Sequence, residues 1–266
     1  MKKTVTLCII IFSIIISESG YAQQLTDEWR LIKKTWTPPN EGKTEWIYNY
    51  DVKGKIINIK YYQGKKLHST QAAFVYNDHN LIDSYKESFS DGADTIQHLF
   101  EYDQQNRILS AKEVKFKKSG EKRNTLTQSF SYTGHKIIER RIRTSFGGKL
   151  NDEISYKLDE KGNIVGKTTI EDGKKSLDYI YGEYDTKPNP LLFTGAYFYT
   201  QLLPKQNYKE GYWDGDKSAK TIFTYNSKGM LQNAAITYTL DNRLYTHQHY
   251  YIYSQVKPTT KPSVNK

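Results

Sequence analysis

Cysteine is all but absent: Cys8 is the only one in 266 residues, and it lies inside the one long apolar run, Thr4 to Ile16. A disulfide scaffold, a cysteine-held metal and a thiol nucleophile are therefore excluded for everything downstream of that run. Proline is sparse, with 7 copies. Beyond the N-terminus no stretch sustains the 3.6-residue apolar period of a helix, which removes helical bundles and alternating strand–helix folds. There is no G-x-S-x-G elbow and no Ser–His pairing visible from spacing, so nucleophilic catalysis has no anchor. What the chain has in quantity is tyrosine, 23 copies, and charge, 26% of residues. That combination suits a β-rich protein with solvated faces.

Residues 1–22 read as an export signal. Lys2 and Lys3 form a basic start, the apolar run follows, and Gly20-Tyr21-Ala22 is a small-x-small cleavage site. The run is too short to span a bilayer comfortably. Cys8 lies within the run and not after it, so a lipid-attachment site, and with it a surface lipoprotein, is not expected. Removing the signal takes away Lys2, Lys3 and Glu18 and leaves 37 basic and 28 acidic side chains, a net of +9. The exported chain must then hold together by its sheet and core alone.

The body of the chain repeats. Phe100-Glu101-Tyr102-Asp103 leads through two spacers to Asn106 and then Ile108. Counterparts of Tyr102 are Tyr50, Tyr76, Tyr132, Leu158, Tyr184 and Tyr225, at intervals of 26, 26, 30, 26, 26 and 41 residues. Each feature of the unit has a mechanical reason. The two rings lie two residues apart, so both face one side of a strand. The Asp begins a turn in which its carboxylate can accept backbone N–H groups. Gly54, Asn80, Asn106, Gly162 and Gly229 occupy the position that needs positive φ, which fits a type I turn followed by a left-handed residue. A second class of turn falls between these, at Gln63-Gly64, Asp91-Gly92, Ser119-Gly120, Gly147-Gly148, Asp172-Gly173, Asp214-Gly215 and Asp241-Asn242. Two alternating turn classes at one period mean two strands per repeat. The expected fold is all-β: an antiparallel up-and-down meander of roughly 14 to 16 strands, curved into a single sheet or a partly closed barrel.

This divides the chain into a signal (1–22), one repeat domain (23–253) with an insertion (186–220), and a polar, disordered tail (254–266). Near the start, Trp29, Trp36 and Trp46 read as a cap over the open end of the sheet, or as a stacking platform for sugars. The insertion breaks the period and carries three prolines and several aromatics. Such a segment either closes the sheet or carries a binding surface. If a ligand binds there, Tyr212 and Trp213 would stack on it while Asp214 and Asp216 accept its hydrogen bonds.

Other chemistry is thin. His247 and His249 lie two apart on a strand and can share a face, but no third ligand is evident. Asp214-Gly215-Asp216 lacks the further oxygens of a calcium loop. Along Ile108 to Lys117 apolar and charged residues mix on both faces, which argues against a lipid-facing wall. No catalytic residue, metal site or cofactor is assigned.

The tandem Y-[DN]-x-x-[GN]-x-[IL] copies, the Asn189-Pro190-Leu191 insertion and the last copy, Phe223 to Gly229, resemble secreted YD-repeat proteins of Bacteroidetes. Those proteins are relatives, in repeat chemistry, of the RHS and teneurin shells. The resemblance covers about residues 28–253. It implies a β architecture and loosely suggests carbohydrate binding. A C-terminal toxin segment and autoprotease are lacking and the chain is too short for a closed shell, so toxin delivery is not implied.

The reading from sequence is an exported, non-enzymatic binding or structural module of the bacterial envelope, periplasmic or extracellular. Its partner would be an envelope glycan or envelope protein, without nucleic acid and without stable membrane insertion. An envelope hydrolase acting on polysaccharide and an outer-membrane β-barrel stay open as alternatives.

Overall fold

The computed structural model describes residues 28–39, 42–92, 94–145, 148–171, 173–194, 206–213, 217–240 and 243–256. Its first seven strands are β1 (Trp29–Thr37), β2 (Thr44–Tyr50), β3 (Ile56–Gln63), β4 (Lys66–Tyr76), β5 (Ile82–Phe89), β6 (Asp94–Tyr102) and β7 (Ile108–Lys117). They continue as β8 (Lys122–Thr133), β9 (Lys136–Ser145), β10 (Gly148–Leu158), β11 (Ile164–Glu171) and β12 (Lys174–Tyr181). The insertion region contributes β13 (Tyr184–Pro188), a 3-10 helix (Pro190–Thr194), β14 (Gln206–Tyr208) and β15 (Glu210–Trp213). The chain ends on β16 (Lys217–Tyr225), β17 (Leu231–Leu240) and β18 (Arg243–Gln255). Sixteen strands form one antiparallel barrel in chain order; β13 and β14 stand aside as a ribbon, and β18 closes the ring on β1.

Closure is complete where a strongly curved or partly closed sheet was expected, and the physical reason lies in β1. It pairs with β2 on one side and β18 on the other, leaving no edge to cap. The export signal and most of the tail lie outside the described residues. β18 runs to Gln255, two residues into the stretch the sequence assigns to the tail.

The turns explain the repeat. In five copies the side-chain Oδ1 of Asp51, Asn77, Asp103, Asp159 or Asn226 accepts two backbone N–H groups, two and four residues on, at 2.8 to 3.0 Å. The φ of +60° at Asn106 and +77° at Gly54 shows why only Asn or Gly stands there. Tyrosine then ties one repeat to the last. Tyr50, Tyr76, Tyr102 and Tyr132 donate their hydroxyls to the backbone carbonyls of Leu31, Ile56, Ile82 and Ile108, at 2.6, 3.0, 2.7 and 2.7 Å. Tyr184 and Tyr253 do the same to Ile164 and Leu231. One copy departs: Thr133 pairs with Lys136 across a two-residue Gly134-His135 turn.

Register sorts the side chains onto two walls. One parity holds the buried set, including Ile82, Tyr85, Phe100, Ile108, Phe130, Ile137 and Ile154, in one apolar cluster. The other holds Ile57, Leu109, Ile222, Leu244 and Ile252, all exposed. The buried parity is the inner wall. It is aliphatic and aromatic beside the YD turns, where Phe193 of the 3-10 helix packs fully buried with Leu31, Tyr48 and Met230. The same wall buries polar side chains as well, His98, Gln128 and Glu139 among them.

Candidate functional site

Two kinds of polar feature could carry function: clusters on the inner wall and a groove on the outer one. On the inner wall, strand register brings together residues that spacing along the chain does not connect. Tyr85 faces His98, and His98 faces Glu113. His98, itself buried, lies 3.6 Å from Glu87 and 3.7 Å from Glu113 and stacks on the Tyr85 ring at 4.2 Å. Ser69 donates its hydroxyl to Glu87 at 2.6 Å. The hydroxyl therefore meets a carboxylate and not the imidazole, which is the wrong partner for a nucleophile.

A second cluster centres on Glu139, fully buried in β9. Gln128 donates to it at 2.6 Å, the Tyr156 hydroxyl at 2.7 Å, and the Arg141 guanidinium closes the set. Burial, with Glu139 alongside, pushes the Tyr156 hydroxyl's pKa up, so it stays protonated as the donor. A buried carboxylate with three donors is a satisfied structural node.

The third cluster lies at the seam where the barrel closes. Trp36 Nε1 donates to His247 Nδ1 at 3.0 Å, and the other ring nitrogen of His247 meets the Tyr238 hydroxyl at 2.7 Å. Since Nδ1 accepts, the proton sits on Nε2. His249 shares the face as expected, but burial, with Lys34 near, pulls its pKa down to about 4. Both nitrogens of His247 are taken, and among the described residues no group of three or more potential metal ligands exists. With β1 paired on both sides, the tryptophans cover no strand edge. Trp29 packs on the Leu31 and Phe193 cluster, Trp46 packs on Tyr61, and Lys34 sits 4.9 Å over Trp46. Burial also lowers the Lys34 amine's pKa.

On the outer wall β1, β16, β17 and β18 form a groove of about 580 Å³. Lys33, Thr35 and Thr37 line one side, and Thr224, Asn233 and Tyr250 the other. Asn233 is pinned, its NH₂ donating to Gln248 at 3.0 Å and to the His249 carbonyl at 3.1 Å. Lys33 and Lys43 both bond the same oxygen of Glu45, at 2.5 and 2.7 Å, and together hold that carboxyl's pKa below the usual range. No sequence pattern marked this groove, since its walls come from opposite ends of the chain.

Of the insertion residues picked from sequence, Tyr212 and Trp213 lie on β15, their backbones paired with Ile180 and Tyr179 of β12 and with Ser218 and Lys217 of β16. Asp214 and Asp216 lie outside the described residues. The insertion thus supplies a barrel strand as well as the buried plug at Phe193. Its anchor is Asp185. Where sister copies turn, Asp185 accepts from the backbone of Lys187 at 2.9 Å, from the backbone of Asn207 at 3.2 Å and from the Tyr225 hydroxyl, and burial raises its pKa.

No family model matches the chain, and no curated protein does. Among solved structures it is similar to a porin-like protein from Bacteroides vulgatus ATCC 8482, with TM-score 0.55 and 12% identity over 85% of this chain and 98% of that one. A porin-like protein from Bacteroides uniformis ATCC 8492 gives TM-score 0.39 and 11% identity over 84% and 96%. The TcdB2-TccC3-Cdc42 structure gives 0.28 and 10% over 77% and 11%. The first of these likenesses shows a shared barrel fold.

Proposed function

We propose that the chain is an exported, water-facing β-barrel of the bacterial envelope that binds a glycan without transforming it. The observation that carries this reading is the outer groove, lined by hydroxyl and amide side chains beside an exposed tyrosine ring. Such a surface matches a polyol: neutral donors and acceptors for hydroxyls, and a ring for the apolar face of a sugar. The inner-wall acids and bases are engaged with one another, as Glu139 is with Gln128, Arg141 and Tyr156, which supports a non-enzymatic role. Descent from the YD-repeat group, which the repeat chemistry resembles, belongs to the same reading.

The placement in water rests on the outer wall. Lys60, Lys86, Lys112, Arg140 and Lys220 stand exposed on that wall within β3, β5, β7, β9 and β16. A lysine or arginine facing lipid at mid-bilayer costs about 2–4 kcal/mol. A second reading, an outer-membrane barrel, has its own support in the fold shared with a porin-like protein. Alkaline carbonate extraction of envelopes separates the two. Release of the chain into the supernatant, followed by retention of the purified chain on a polysaccharide fraction in high salt, is the expected result. A chain that stays in the membrane pellet overturns the placement in favour of the porin-like one.

A further inference from the structure

Resting on the binding reading above, we infer that the outer groove selects acidic sugars, saccharides bearing a carboxylate or sulfate, with the Lys33–Glu45–Lys43 triad as the charge-reading element. Charge in the triad is unequal. Two ammonium groups converge on a single oxygen of Glu45, so the triad carries one surplus positive charge. Lys33 and Lys43 both line the groove. Lys43 is half exposed and Glu45 is largely covered, so an incoming anion can draw Lys43 to itself while Lys33 still holds the carboxylate.

The rest of the groove supplies what an inorganic anion would not use. Tyr250, 46% exposed, and Ile252, 50% exposed, lie on one face of β18 and present an apolar strip beside the triad. Thr35, Thr37 and Thr224 bring hydroxyls from β1 and β16 to the two flanks. With both donors of Asn233 bonded to Gln248 and to the His249 carbonyl, its oxygen is the atom left for a sugar hydroxyl. A strip of this kind with a single surplus cation at one end reads a ring and one acid group together. A charged contact at the groove rim also weakens with salt, since it lies within reach of screening ions.

The test is calorimetric titration of the purified full chain with a galacturonate trisaccharide, a sulfated trisaccharide, a neutral maltotriose and sodium sulfate. The expected result is that at least one acidic trisaccharide binds ten-fold or more tightly than maltotriose and than sulfate. Which acidic one wins names the acid group. Lys43→Ala should lower that affinity about ten-fold and remove most of its salt dependence, and Tyr250→Ala should lower it at least as far. Both side chains are substantially exposed, so thermal midpoints near wild type show that the variants fold. Equal binding of neutral and acidic sugars overturns acid selection. Sulfate competing as well as the trisaccharides reduces the groove to a plain anion site and overturns the sugar. No binding by a chain that carbonate releases sinks this inference while leaving the water-facing barrel intact.

Discussion

The regular repeats and the insertion use the same two residue types to different ends. At Tyr50-Asp51, Tyr76-Asn77 and Tyr102-Asp103 the Asp or Asn folds its own turn, and the tyrosine reaches one repeat back to a backbone carbonyl. Both bonds have backbone partners no further than one repeat away. At the insertion, Asp185 accepts from Asn207 and from Tyr225, forty residues away, and Tyr225 spends its hydroxyl on that carboxylate. The Asp of one copy and the Tyr of the next here clamp the insertion between them, through Asn207. Repetition makes the wall, the pairing of β1 with β18 makes the ring, and this non-local contact holds the insertion in place.

The clamp should therefore be the weakest place to lose. In Asp185→Ala, the backbone N–H of buried Asn207 and the hydroxyl of half-buried Tyr225 lose their acceptor, and stranded donors cost roughly 1–3 kcal/mol each. Asp103→Ala, which frees two turn amides and the exposed guanidinium of Arg107, should lower the thermal midpoint far less. A midpoint drop in Asp103→Ala equal to that in Asp185→Ala would remove the distinction between the regular copies and the one that holds the insertion.

The seam differs from the repeats in acid as well. Its His249 is held neutral in the fold, with its pKa pulled by burial from 6.5 to about 4. A base depressed in this way contributes stability above pH 6.5 that is lost as pH falls toward about 4. His249→Gln removes that dependence. Urea midpoints of wild type and variant should run apart above pH 6.5 and converge as pH falls through the interval from 6.5 to about 4. Parallel curves through the interval would mean that His249 is already relieved by water.

How much of this was legible in the sequence follows the same division. The turn at Asp103, the left-handed Asn106 and the alternation of Phe100 with Tyr102 are local, so a period of 26 residues exposes them together. The hydroxyl bond from Tyr102 to the Ile82 carbonyl reaches one repeat back, so it is invisible in any single copy. Closure was legible only as curvature, because the pairing of β1 with β18 joins the two ends of the chain and leaves no local mark. The groove fails for that reason too: Thr35 and Tyr250 are cross-strand partners separated by nearly the whole sequence. The insertion stands out by its broken period, but that says nothing of Asp185, whose residue type is that of Asp51, Asp103 and Asp159.

Within the regular region the inter-repeat bond can be measured directly. Tyr102→Phe keeps the ring and removes the hydroxyl donated to Ile82. The expected loss is about 0.5–1.5 kcal/mol by urea unfolding, the size of one ordinary hydrogen bond. A variant as stable as wild type would assign the cohesion of the repeats to the ring alone.

The smallest effect is a gain, and it asks whether the rule can be restored where it lapses. Leu158 stands at the tyrosine position of its copy and packs against the main apolar cluster. Its backbone is in register: it pairs with Ile164 as Tyr102 pairs with Ile108. By the rule of the sister copies, a hydroxyl here would reach the carbonyl of Ile137, as Tyr184 reaches Ile164. Leu158→Tyr should then raise stability by up to about 1 kcal/mol. The one irregularity nearby is the short Gly134-His135 turn that starts the strand carrying Ile137. If the variant gains nothing or loses stability, that turn has carried the carbonyl out of range, and leucine stands at 158 because there is no acceptor for a tyrosine to find.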